Sequence, residues 1–152
     1  MSFPFRAFDN SGLKPRGVVP GYTIWARNYD EMLTDNLDGP ILAHFRKCLP
    51  RTARRVVDLG CGTGRTGAWI KRNFPGAVID GVDLCPAMLD RARPKGIYRR
   101  LVKRSMVKTG LPVGYDLVFS VLGDCHVAGL RPLYREARRL LKRGGSFVLV
   151  DY

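Results

Sequence analysis

A doubly wound α/β fold, a parallel sheet with helices on both faces, is the architecture this sequence predicts, and three observations predict it. From residue 54 onward, apolar runs of strand length alternate with stretches of helical periodicity. The first run, around Val56 and Val57, leads into glycines at 60, 62 and 64 before Trp69 and Ile70 open a helical pattern, which reads as strand, tight turn and helix. At 152 residues, 45% apolar and 26% charged, the chain has the size and balance of one globular domain with a real core.

In chain order, residues 1–21 are rich in proline, glycine and polar side chains and read as an irregular arm, with Phe3, Phe5 and Phe8 available to dock it. Residues 22–152 form the domain, helices over 22–50 and the α/β core over 51–152. Tyr22, Trp25, Tyr29 and Leu33 fall on one helical face. Asp38 suits the N-cap of a second helix, with Pro40 in its first turn, Ile41, Leu42, Phe45 and Leu49 on its buried side, and Pro50 ending it. Strands are expected over 54–59, 77–83, 97–102, 114–122 and 146–151, the third as an edge strand because Arg99 and Arg100 interrupt its apolar character. Helices are expected over 66–73, stopped by Pro75-Gly76, over 86–93, stopped by Pro94, and from Leu130 through Leu141 with Gly144 as the stop.

Glycines in the first turn adopt positive φ without penalty, and the lack of a Cβ lets a ligand approach the backbone. The helix that follows aims its free N–H groups at whatever fills the loop. Gly62 to Gly67 spells the dinucleotide pattern Gly-x-Gly-x-x-Gly, and Asp83 closes the second strand at the distance of a ribose-binding acid. The same carboxylate also suits a turn or the N-cap of the helix beginning at Pro86.

The larger pattern Asp58-Leu59-Gly60-Cys61-Gly62-Thr63-Gly64 resembles motif I of the class I S-adenosylmethionine-dependent methyltransferases, with an acid two residues before the first glycine that the dinucleotide pattern leaves unexplained. Gly81-Val82-Asp83-Leu84-Cys85-Pro86-Ala87-Met88-Leu89, Tyr115-Asp116-Leu117-Val118 and Leu141-Lys142-Arg143-Gly144-Gly145 are similar to that family's later motifs. The resemblance implies a Rossmann-like sheet with five parallel strands in the order 3-2-1-4-5 and S-adenosyl-L-methionine as cofactor. It implies that Gly60, Cys61, Gly62, Thr63 and Gly64 hold the methionine end, that Asp83 beside Leu84 holds the ribose, and that Asp58 orients the loop or the cofactor amino group. Many relatives place an adenine-binding acid after the third strand; this chain has Ser105 and Met106 there, and Val121 ends the fourth strand beside them. N-terminal helices lie over the pocket in that family, so Trp25 and Tyr29 are either pocket or core residues. After the fourth strand come Asp124 and His126, where a substrate meets the methyl group and a base would stand.

The family usually continues past strand 5 with a further helix and two strands, so the chain is expected to be truncated there, with a strand-5 edge covered by the arm, by a missing segment or by a second copy in a homodimer. The acceptor expected is a small molecule. One alternative is a non-catalytic cofactor-binding or partner module, motivated by the truncation and the missing adenine acid. Another is a nucleic-acid methyltransferase, motivated by a net charge of +13 and by the stretch from Arg91 to Lys108, which holds eight basic residues and no acid. Against that, the basic runs lack interleaved aromatics for base stacking, and solvated arginine-rich helix faces explain them as well. Four well-separated cysteines, Cys48, Cys61, Cys85 and Cys125, indicate neither a metal site nor a disulfide framework and fit a reducing cytoplasm. No apolar run approaches the length of a membrane span.

Overall fold

The computed structural model describes residues 17–32 and 38–151; the Phe3, Phe5 and Phe8 arm and Leu33 lie outside them. Three helices come first: α1 (Val18–Trp25), the single turn α2 (Tyr29–Met32) and α3 (Asp38–Phe45). The core follows as β1 (Arg55–Leu59), α4 (Arg65–Asn73), β2 (Val78–Asp83), α5 (Pro86–Ala92), β3 (Arg100–Lys103), β4 (Tyr115–Val121), α6 (Leu130–Leu140) and β5 (Leu141–Val150). All pairings in the sheet are parallel and the strand order is 3-2-1-4-5, the order expected. β3 is an edge, as its charges predicted.

Strand alternation sorts the core into two layers. Val56, Ile79, Leu117 and Phe119 face α4, where Ile70 and Phe74 meet them; Val57, Leu59, Val82 and Val118 face α6, where Leu133, Ala137 and Leu140 meet them. Leu133 and Leu140 are fully buried, each burial stabilising the fold by roughly 2 kcal/mol. α6 is also fixed by charge. Thr109 donates from its N–H (2.9 Å) and its hydroxyl (2.6 Å) to Glu136 Oε1, and the Arg139 guanidinium forks onto both Glu136 oxygens. The Arg139 hydrogen bond, working against burial and helped by Thr109, holds the Glu136 carboxyl down at about 2. A carboxyl depressed from 4.5 contributes stability that is fully present above 4.5 and lost as pH falls toward 2. Glu136→Gln is therefore expected to cost roughly 2 kcal/mol in denaturant unfolding at neutral pH, a figure discounted for the solvent-screened arginine, and to converge on wild type near pH 2.

The departures from expectation have local causes. α1 begins at Val18 because extended Gly17 caps it and Pro20 sits in its first turn. It does not run on through Tyr29: the Asn28 N–H turns back to Trp25 O (3.0 Å) and Asn28 O accepts from Glu31, a turn that Asn favours over helix. In α3, Leu42 is buried and Leu49 beyond it half-buried, whereas Ile41 and Phe45 are exposed, at 37% and 55%, so the buried stripe is narrower than the periodicity suggested. β3 starts three residues later than 97 because Tyr98 leaves the sheet line to pack under the glycine loop. β5 starts at Leu141, five residues early, with a bulge between its pairings to Tyr115 and Leu117; Gly144 and Gly145 lie in that bulge and do not end a helix. Gly145 is required there, since a Cβ would fall 2.9 Å from Tyr115 O.

Candidate functional site

The C-terminal ends of β1, β2 and β4 open onto one cavity of about 140 Å³, roofed by α1, α2 and the start of α3. This is where an open parallel sheet collects ligands. Of the residues predicted from sequence, Gly60, Cys61, Gly62, Thr63, Asp83, Leu84, Ser105, Met106, Val121 and His126 all line it. Asp58, Gly64 and Asp124 do not.

The turn after β1 is set by Gly60, Gly62 and Gly64, all at positive φ (71°, 51° and 94°). A Cβ on Gly62 would meet nothing within 4 Å, so the loop presents bare backbone to the cavity. Asp83 binds that loop to α5: its Oδ2 accepts from the Gly62 N–H (2.9 Å) and its Oδ1 from the Cys85 N–H (2.8 Å). Asp83 thus lines the pocket and braces the turn before α5, but it is not that helix's N-cap, a position taken by Cys85 without a side-chain cap bond. Burial raises its carboxyl above the ordinary range, against the backbone donors that lower it. Each oxygen keeps lone-pair capacity for a further donor from the pocket side.

Asp58 is buried beneath the loop, only 1% exposed, where it accepts from the Tyr98 hydroxyl (2.7 Å) and is supported by the Gly67 N–H of α4. Burial pushes its carboxyl up to about 7, which the Tyr98 hydrogen bond opposes.

The roof is tied down at three points. Tyr22 Oη and His126 Nε2 share a 2.7 Å hydrogen bond, with the two rings edge to face. Asp30 accepts from Thr63 in the glycine loop and pairs with Lys95 (2.8 Å), bonds that hold its carboxyl down against burial. Asp38 pairs with Arg65 (2.7 Å) at the start of α4, and both line the cavity. Tyr29 lines the cavity too, while Trp25 is 51% exposed and meets the edge of Tyr22. Sequence periodicity put Tyr22, Trp25 and Tyr29 on one face but could not say which reached the site. Nothing in the sequence singled out Asp38 with Arg65, whose contact spans 27 residues.

At the end of β4, Leu122 adopts a left-handed φ of 56°, a conformation costing a non-glycine residue roughly 1–3 kcal/mol. Its N–H is held by Val150 O (2.8 Å), and the kink turns Gly123 and the 3₁₀ turn Asp124–His126 over the cavity mouth. His126 is exposed there. Asp124 is 4% exposed, and burial together with the adjoining Asp151 carboxyl raises its own. It reaches His126 through charge only, its hydrogen-bond partner being Asp151.

Residues 57–149 match the family described as a methyltransferase domain. This chain belongs to that family. It is 38% identical over 99 residues to a malonyl-[acyl-carrier protein] O-methyltransferase of Legionella pneumophila, covering 62% of this chain and 35% of that protein. It is 30% identical over 109 residues to a demethylmenaquinone methyltransferase of Thermus thermophilus, covering 68% of this chain and 50% of that one. The methyltransferase chain therefore spans between about a third and a half of these relatives' lengths. Among solved structures, an S-adenosylmethionine-dependent methyltransferase from Mesorhizobium loti superposes with a TM-score of 0.58 at 34% identity, over 70% of this chain and 51% of that one. The family's cofactor is S-adenosylmethionine, and the residues present fit it. A loop whose middle glycine opens into free space lies beside a carboxylate with acceptor capacity for two hydroxyls, and beside an ion pair that complements an amino acid's ammonium and carboxylate.

Proposed function

We propose that this methyltransferase domain binds S-adenosylmethionine in the cavity above β1 and β2 and directs its methyl group to a small-molecule acceptor entering beside His126. The observation that carries the reading is Asp83, fixed by two backbone N–H groups at the rim of the glycine loop and facing the cavity. When bound, the cofactor supplies a methyl already activated on a sulfonium. The chain's own task is then to align the acceptor with it and to keep water out.

In this reading Asp83 accepts both ribose hydroxyls with Leu84 beside it, while Gly60, Cys61, Gly62 and Thr63 present the loop backbone to the methionine end, Gly64 setting the turn behind them, and Asp38 and Arg65 receive the ammonium and carboxylate. Ser105 and Met106, with Val121 beside them, take the place of an adenine acid: a thioether and a hydroxyl against the base. His126 is the base for an acceptor that must lose a proton, the acceptor replacing the Tyr22 hydroxyl on Nε2. Asp124 supports the imidazolium by charge. A small acceptor is favoured by the roofed cavity and by a relative named for demethylmenaquinone.

A second reading, a partner module without turnover, is favoured by the fact that both Asp83 oxygens already serve the fold. Calorimetric titration with S-adenosylmethionine and with its demethylated product separates the two. Binding of both in the micromolar range is expected, about −8 kcal/mol; absence of heat with either would leave the module.

A further inference from the structure

We propose that Tyr98 is a positioning residue of the cofactor site: its ring fills the space left by three glycines, and its hydroxyl fixes the Asp58 carboxylate beneath the glycine loop. Tyr98 lies outside every motif that carried the family resemblance and does not line the cavity. Its ring nonetheless packs against glycines of the loop, of α4 and of β2. A Cβ on Gly64, in the loop, would lie 3.2 Å from its Cε2. One on Gly67, in the first turn of α4, would fall on its hydroxyl and 2.5 Å from Cζ, and one on Gly81, in β2, would lie 2.9 Å from Cδ1 and Cε1. Contacts under 3.0 Å are closer than real Cβ atoms come, so a side chain at Gly67 or Gly81 would displace this ring, and one at Gly64 would press on it. The ring reaches the position because the chain turns at Gly96 (φ 64°) and joins the sheet only at Arg99, whose N–H meets Ile79 O (2.8 Å).

The hydroxyl completes the device. It donates to Asp58 Oδ2 at 2.7 Å, and burial with the adjoining carboxylate keeps its own proton on, so it remains a donor. Asp58 faces Asp83 and the Cys61 thiol as well as Tyr98 and the Gly67 N–H; the nearby Asp83 charge disfavours ionisation, while the Tyr98 hydroxyl and the Gly67 N–H favour it. With its carboxyl near 7, Asp58 changes charge around neutral pH directly under a loop that, on the reading above, holds the ammonium end of a cation. Affinity for the cofactor should then rise with pH as Asp58 ionises, and Tyr98 sets where that rise occurs.

The test measures cofactor affinity by calorimetry from pH 5.5 to 9 on wild type, Tyr98→Phe and Asp58→Asn, and follows the Asp58 carboxyl carbon by NMR without ligand. Tyr98→Phe keeps the ring and is expected to move both the NMR midpoint and the affinity rise upward by about one pH unit, while Asp58→Asn removes the rise. An unmoved NMR midpoint in Tyr98→Phe, or a rise that survives Asp58→Asn, would overturn the proposal. Failure of wild type to bind cofactor at any pH would instead remove the cofactor reading on which the affinity arm rests, and the ligand-free NMR midpoint still decides whether Tyr98 governs Asp58.

Discussion

Asp83→Ala is expected to abolish measurable S-adenosylmethionine binding. On the function proposed, the substitution removes two charge-assisted acceptors for the ribose hydroxyls, together about 4 kcal/mol, or roughly a thousandfold in Kd, which takes a micromolar complex into the millimolar range. It also frees the Gly62 and Cys85 N–H groups, so some of the loss comes from a loosened loop, and unfolding should show a cost of about 1–2 kcal/mol. Asp83→Asn separates the two effects. It keeps the shape and one acceptor oxygen, so it should recover most of the stability and only part of the affinity. Calorimetry on the three proteins, beside a denaturant titration of each, gives both quantities. Full binding by Asp83→Ala would remove Asp83 from the cofactor site and with it the main support for the function proposed.

Gly67→Ala is expected to destabilise the fold by about 1 to 2 kcal/mol net, the opposite of the rule for helices. An alanine in place of glycine within a helix normally gains roughly 0.5–1 kcal/mol. Gly67 lies inside α4, but its new methyl would fall on the Tyr98 hydroxyl, and the Tyr98 ring has no room to retreat because Gly64 and Gly81 already touch it. Overpacking of this kind costs 1–3 kcal/mol. Gly76, where a Cβ would meet nothing within 4 Å, serves as the control, and Gly76→Ala should stay within about 0.5 kcal/mol of wild type. If denaturant midpoints showed Gly67→Ala as stable as wild type, the close packing of Tyr98 against α4 would be wrong.

Much of this molecule was legible before any coordinates. The alternation of apolar runs with helical stretches located β1, β2 and β4 and helices α4 and α5 to within a residue or two, because those segments carry their own period and their own glycine and proline stops. The loop residues and Asp83 were legible for a related reason: a turn that needs positive φ writes its glycines into the sequence, and a strand-end acid stands beside it. The first helix was misread in extent where Asn28 folds back onto Trp25 in a local turn, and the third and fifth strands were misread in their starts where contacts distant in sequence overrode local pattern: Tyr98 diving under the loop, Gly145 pressed against Tyr115 O.

The sequence by itself determined the family, the order of the elements and the chemistry offered by the glycine loop, since all of these rest on residues within a few positions of one another. Only the tertiary structure decided that Tyr22 and not Trp25 meets His126, that Asp38 answers Arg65, and that Tyr98 holds Asp58. Those pairs lie 104, 27 and 40 residues apart. No local period encodes such meetings, because they exist only once the sheet has brought the ends of its strands to one edge.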